Sequence, residues 1–128
     1  MKEALEEWAA SYFSYRKAVL KEPYEVEHRQ GLRLRYKERI EEIFCCNKLV
    51  PQKGARGDII VTLNSKENIE RLFEHWREFC ESGMRIYFVN PNLPNQKWAI
   101  TPHIHDMVCE KSTLKRSLKS MAEQVPFV

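Results

Sequence analysis

The chain has 128 residues, a length typical of one folding unit, and its 43% hydrophobic and 30% charged residues describe an ordinary globular protein. A net charge of +3 is too small to indicate a partner, and no apolar run approaches the ~20 residues needed to cross a bilayer. Carboxylates interrupt the N-terminal sequence where a signal peptide needs unbroken apolar residues. We therefore expect a cytoplasmic protein without membrane contact, whose four cysteines are reduced.

The N-terminal pattern predicts a first helix over residues 2–21, because apolar side chains recur there at helical spacing. Trp8, Tyr12 and Tyr15 give this helix an aromatic group. Such a group is typical of a core face or of an interface with a second copy of the chain. We take these three residues as the candidate interface of a homo-oligomer.

A second helix is predicted over residues 32–46. Tyr36, Ile40, Ile43 and Phe44 fall at i, i+4, i+7 and i+8, which is the spacing of a core-facing stripe. Cys45 and Cys46 would then point in different directions, and we expect one of them to be buried as a small apolar residue.

In the C-terminal half, runs of β-branched residues flank one strongly amphipathic segment, residues 66–81. Ser65 is a good N-cap for that segment, and Gly83 is the expected stop. The strand–helix–strand unit should have parallel strands, and the proline-rich turn after it predicts a hairpin. The predicted elements are strands at 58–63, 84–90 and 97–101, and helices at 66–81 and from Ser112 to about residue 125.

These elements predict an α/β (α+β) fold in a single domain, 1–128. Its helical N-terminal part, 1–46, contains two helices, and a β-α-β-β-α unit follows over 57–128. The mixed sheet would have three strands, or four if residues 48–50 contribute one. A sheet this thin leaves surface uncovered, which favours association with a second copy.

One string in this half could hold a metal ion. His103, His105 and Asp106 follow the last predicted strand, and histidines that alternate at a strand end occur in zinc and iron sites. The string departs from the His-x-His-x-Asp-His pattern of binuclear hydrolases, because Asp106 follows His105 directly. In the alternative interpretation, Asp106 caps a turn and one histidine packs against the sheet.

A nucleic-acid interface is the other binding hypothesis. Segment 29–56 has 8 basic and 3 acidic residues, and the last helix adds further cations that could contact phosphates. Asp58, after a glycine-containing loop, invites comparison with the restriction-endonuclease fold, but no Glu-x-Lys follows on the next strand. The sequence therefore indicates at most a degenerate nuclease-like fold. The candidate contacts are Arg33, Arg35, Lys37, Arg39, Lys53, Arg56, Lys115, Arg116 and Lys119.

The sequence contains no complete catalytic set and no cofactor motif, so we expect no cofactor and favour a protein that is not an enzyme. The leading hypothesis is a small intracellular interaction domain that self-associates. A nucleic-acid-binding accessory module is the alternative. A metal-dependent hydrolase at His103, His105 and Asp106 comes third.

Overall fold

A computed structural model describes residues 2–28 and 31–128 and contains a six-stranded mixed sheet. The strands lie side by side in chain order. The third, fourth and fifth run parallel, and the other neighbouring pairs are antiparallel. The strands are Glu25–His28 (β1), Leu32–Arg35 (β2), Ile40–Cys46 (β3), Ile59–Leu63 (β4), Arg85–Val89 (β5) and Lys97–Ile100 (β6).

Helices cover both faces of this sheet, so the chain has two hydrophobic cores. The helices are Lys2–Leu20 (α1), Lys66–Glu74 (α2), Trp76–Ser82 (α3), Pro102–Val108 (α4) and Leu114–Ala122 (α5), with a short 3-10 turn at Lys111–Thr113. The buried side of α1 packs on one face, while buried side chains of α2, α3 and α5 pack on the other. Within the described ranges, no helix is long and apolar enough to cross a membrane.

The predicted mixed α/β class is confirmed, and the local predictions agree best with the structure in the C-terminal half. Strands β4 and β5 are parallel, and β5 and β6 form the predicted hairpin. The Ser65 hydroxyl accepts a hydrogen bond from the Asn68 N–H at 3.1 Å, as expected of an N-cap. Gly83 ends α3 with φ at 70°, a left-handed conformation that glycine adopts without strain. The helix predicted over 66–81 is divided at His75 into α2 and α3.

The predicted second helix over 32–46 is wrong, because these residues form β2 and β3. In β2, Leu32 and Leu34 are buried, while the arginines between and after them point to the opposite face. Apolar residues at alternate positions are typical of a strand with one covered face. The helical spacing of Ile43 and Phe44 is coincidental, since on β3 these neighbours pack into different cores.

The prediction of a three- or four-stranded sheet is also wrong, and so is that of a wholly helical part over 1–46. Among the described residues of that part, 2–28 and 31–46, only α1 is helical, and three strands follow it, β1, β2 and β3. The segment 48–50 forms no strand; Leu49 is fully buried, and its N–H donates to the Asn68 side chain at 2.9 Å. Because both sheet faces carry helices, the thinness that favoured association is absent.

An ion pair joins the end of α1 to the turn before β1, and it makes stability depend on pH. Arg16 donates two hydrogen bonds to the Glu22 carboxylate, at 2.9 and 2.7 Å, and these bonds lower the pKa of Glu22 below its ordinary value of 4.5. A lowered pKa in the folded state adds stability above the unfolded-state pKa, and this contribution is lost as pH falls through the folded-state value.

We expect Glu22→Gln to lower the unfolding free energy by less than about 1 kcal/mol at neutral pH, because the pair is partly exposed. The difference from the native chain should shrink as pH falls below 4.5 and vanish once the folded-state carboxylate is protonated. Urea unfolding over a series of acidic pH values measures it. Glu25→Gln, at an exposed carboxylate paired with Lys17, is the control and should change stability less. A difference that persists in acid would contradict the assignment.

Candidate functional site

The residues predicted to bind metal, His103, His105 and Asp106, lie on the short helix α4 and not at the end of a strand. Pro102 lies in its first turn, where a proline loses no hydrogen bond, and the Thr101 carbonyl accepts the N–H groups of Ile104 and His105 at 3.0 Å each. Residues two apart on a helix point about 200° apart. His103 and His105 therefore diverge, whereas on a strand they would have shared a face.

Each residue of the predicted metal site has a different neighbour. His103 Nε2 lies 3.1 Å from an Arg56 guanidinium nitrogen. The Asp106 carboxylate accepts a hydrogen bond from the Trp76 indole at 2.9 Å, and the His105 ring meets the Trp76 ring edge-on at 5.9 Å between centroids. In residues 2–28 and 31–128, no three His, Cys, Asp or Glu side chains are grouped so that they could hold a metal ion.

Helix α4 is amphipathic, but its polar side faces the protein and its apolar side faces solvent. Its polar residues His103, His105 and Asp106 are half-buried, and Asp106 and His105 contact α3. The apolar residues are exposed: Ile104 to 54%, Met107 to 80% and Val108 to 82%. They lie at i, i+3 and i+4, which places them together on one side of the helix, here called the α4 apolar face. A surface helix normally turns its apolar side to the core.

The contacts that hold α4 are therefore mainly polar. The bond between Trp76 and Asp106 joins it to α3, where Phe79 is buried in the core. Two ring nitrogens on the inner side, His103 Nδ1 and His105 Nε2, are buried without a hydrogen-bond partner in the described part of the chain. Buried nitrogens without a partner and exposed apolar side chains are both unfavourable, so this orientation of α4 is costly for the chain by itself.

Charges of both signs lie near α4. Arg56 lies beside His103, and Glu110 and Lys111 follow the helix at exposed positions. Asp106 on α4, together with Arg77, Glu81 and Lys111, lies close enough to Cys80 on α3 to act on its thiol electrostatically, but burial has the larger effect. Burial raises the pKa of Cys80 to about 11, so the thiol stays protonated and poorly nucleophilic at neutral pH.

The three residues of the predicted aromatic interface lie on two different sides of α1. Trp8 and Tyr12 are 5% exposed and belong to the core beneath this helix, with their rings stacked at 4.9 Å. The Trp8 indole donates to the Leu93 carbonyl at 3.2 Å. Tyr15 is on the outer side and is 49% exposed. The structure thus leaves only Tyr15 of the three accessible to a second chain.

The predicted nucleic-acid residues are dispersed, and many are paired with carboxylates. Arg33 lies near Glu27 and Glu42, at 3.2 and 3.7 Å. Arg35 also pairs with Glu27, Arg39 with Glu41, and Lys115 with Glu70, while Arg56 contacts His103. Residues 29 and 30 lie outside the described residues. Nucleic-acid binding stays a prediction, and its remaining exposed cations are Lys37, Lys53, Arg116 and Lys119.

Asp58, the residue behind the nuclease comparison, has a structural role. Its two carboxylate oxygens accept the N–H groups of Glu42 at 3.0 Å and Ala55 at 2.8 Å, which ties the loop before β4 to β3. Asp58 is 5% exposed. A buried carboxylate with satisfied oxygens accounts for an aspartate at the start of this strand.

The comparisons give this chain no relatives. No protein-family model, no curated protein and no solved structure matches it. The functional argument therefore rests on its own residues.

Proposed function

We propose that this chain is a non-catalytic interaction domain that pairs with a second copy of itself through the α4 apolar face. The observation that supports this proposal is the reversed amphipathicity of α4, with Met107 and Val108 about four-fifths exposed. Exposed apolar residues scattered singly are ordinary on a protein surface. A cluster of three on a helix whose polar side is turned inward is typical of an interface.

The charges around this face favour a second copy over an unrelated protein. In a two-fold interface the same patch meets itself, so its rim has to be complementary to its own image. Glu110 and Lys111, which are exposed and follow α4 in the chain, give the end of this helix both signs, and a two-fold axis can bring unlike charges together. An apolar centre with a polar rim is also the usual anatomy of a protein interface.

The size of the face predicts a weak dimer. Burying a Val, Ile or Met side chain stabilises by roughly 1.5–3 kcal/mol, so six partly exposed side chains supply on the order of 10 kcal/mol. Association costs about 4–15 kcal/mol in lost freedom of the two bodies. The difference is at most about 6 kcal/mol, which corresponds to a dissociation constant of roughly 40 µM or weaker, and a dimer should become detectable from about 100 µM upward.

Met107→Glu is expected to weaken self-association by at least ~100-fold, because the dimer would bury two unpaired carboxylates. Sedimentation equilibrium over a concentration series measures the effect. Val19→Glu is the matched control: Val19 is 55% exposed on α1, which packs on the opposite face of the sheet. This control should associate like the native chain.

Two results would overturn the proposal. One is a native chain that stays monomeric up to about 1 mM, because the contact would then supply less than about 4 kcal/mol of net binding free energy, too little for a specific interface. The other is equal weakening by Met107→Glu and Val19→Glu, which would mean that the contact is unspecific or lies elsewhere. Retained helical circular dichroism in both variants ensures that the comparison is between folded chains.

A further inference from the structure

A polar cavity of about 120 Å³ lies beneath the C-terminal half of α1, on the sheet face away from α4. Its walls come from α1, the turn that follows it, the end of β2, and strands β5 and β6. The polar side chains that carry the argument are Arg16, Glu22, Tyr24, Arg85, Tyr87 and Lys97. None of them belongs to the proposed dimer surface.

The cavity has more positive than negative charge. Arg16 is held by the Glu22 carboxylate, so this pair is close to neutral. Arg85 donates a long hydrogen bond of 3.4 Å to Glu41, a carboxylate that also accepts from the Tyr36 hydroxyl and pairs with Arg39, so one negative charge is shared by two arginines. In the described part of the chain, Lys97 has no ion pair.

Lys97 is held over aromatic rings. Its ammonium nitrogen lies 5.8 Å from the ring centroids of both Tyr12 and Tyr87. The negative faces of two rings attract the cation but leave its three N–H donors without acceptors. This arrangement keeps a charged donor beside the cavity, not out in solvent.

Tyr87 adds a neutral donor. Among the described residues no group is hydrogen-bonded to its hydroxyl, whereas the Tyr24 hydroxyl donates to the Phe13 carbonyl at 2.8 Å and the Tyr36 hydroxyl is engaged with Glu41. Burial raises the pKa of Tyr87, so the phenol keeps its proton at neutral pH. The Tyr87 hydroxyl is therefore free to donate to an anion.

We propose that this cavity binds a phosphate group, with Lys97, Arg85 and the Tyr87 hydroxyl as its donors. A cavity of ~150 Å³ holds a benzene molecule, so one slightly smaller has room for the five heavy atoms of phosphate. Charge-assisted hydrogen bonds from ammonium and guanidinium groups are the strong ones in such sites. Arg16 and Glu22 act as positioning residues that keep the wall beside Tyr24 in place.

Titration calorimetry with inorganic phosphate tests the proposal on the full chain. Lys97→Met removes the ammonium group and should weaken phosphate binding at least ~10-fold. Tyr87→Phe removes only the hydroxyl and should weaken it about 3- to 10-fold. Lys53→Met is the control, since it makes the same change at an exposed position outside the cavity, and it should leave the affinity unchanged.

A second titration, with a nucleoside 5′-monophosphate, distinguishes the source of the group. Tighter binding than inorganic phosphate assigns the site to the phosphate of a larger molecule that extends through the opening; equal binding assigns it to the free ion. The proposal is overturned if the native chain binds neither at millimolar concentration, or if Lys97→Met and Lys53→Met bind phosphate equally. Lys97→Arg, which keeps the charge, should retain most of the affinity if Lys97→Met fails to fold.

Discussion

Replacing Asn64 by leucine should lower the unfolding free energy by about 4 kcal/mol, because it removes the partners of three buried polar groups. Asn64 is fully buried. Its amide nitrogen donates to the carbonyls of Ala122 and Val125 at 3.0 and 2.8 Å, and its oxygen accepts the Trp98 indole N–H at 2.8 Å. One side chain thus joins β4, β6 and the end of α5.

The size of this effect follows from what the leucine leaves behind. A buried donor or acceptor without a partner costs about 1–3 kcal/mol, and leucine leaves the Trp98 indole and the Val125 carbonyl in that state. The Ala122 carbonyl keeps a long hydrogen bond of 3.4 Å from the Val125 N–H, and the added apolar area recovers part of the loss.

Urea unfolding monitored by circular dichroism measures the Asn64→Leu effect. Asn47→Leu is the matched control, because Asn47 is exposed, and it should change stability by less than about 0.5 kcal/mol. A loss below about 1 kcal/mol for Asn64→Leu would contradict the assignment, since it would mean that water or a shifted helix satisfies the three groups.

Phe88→Ala is expected to cost about 3–5 kcal/mol of unfolding free energy. Phe88 is fully buried in the core shared by the sheet and α5, and its ring stacks on Trp98 with centroids 4.3 Å apart and an angle of 7°. Alanine removes most of the buried ring and leaves a cavity that the rest of this core cannot fill without moving.

Thermal and urea unfolding of Phe88→Ala should agree on this loss, and Phe88→Leu, which conserves most of the volume, should lose less than half as much. Phe73→Ala provides the control for removing a ring from the same side of the sheet, because Phe73 is 37% exposed on α2. Equal losses at Phe88 and Phe73 would mean that the core containing Trp98 is loosely packed.

The two functional proposals are independent because they use opposite sides of the sheet. The α4 apolar face belongs to the side packed by α2, α3 and α5, and the phosphate cavity lies on the side packed by α1. A native chain that is monomeric but binds phosphate would remove the first proposal and leave the second. A native chain that dimerises but does not bind phosphate would remove the second proposal and leave the first.

The C-terminal half was predictable because its signals are local. The Ser65 cap, the left-handed Gly83 and the turn between β5 and β6 are each encoded within a few residues. The prediction of a second helix in the N-terminal half was wrong because residues 40–44 match the helical period by accident. The alternation of Leu32 and Leu34 with arginines was the available sign of a strand, since only that period puts both leucines on one covered face.

The candidate site was harder to predict than the fold. The string containing His103 and His105 was interpreted from its polar residues, whereas its surface is made by Ile104, Met107 and Val108. Their i, i+3, i+4 spacing was visible and indicates an apolar helix side. The spacing does not show whether that side faces inward or outward. The direction depends on the position of the Trp76 side chain, whose N–H donates to Asp106.

The sequence by itself determined the mixed α/β class, the parallel β4–α–β5 unit and the hairpin that follows it, because capping residues, turns and apolar periods act over short distances. Only the tertiary structure decided that β1, β2 and β3 extend the sheet, that Trp8 and Tyr12 are core residues, and that the apolar side of α4 faces outward. It also brought Lys97, Arg85 and Tyr87 to one cavity. These outcomes depend on pairing between distant segments, which local periodicity does not encode.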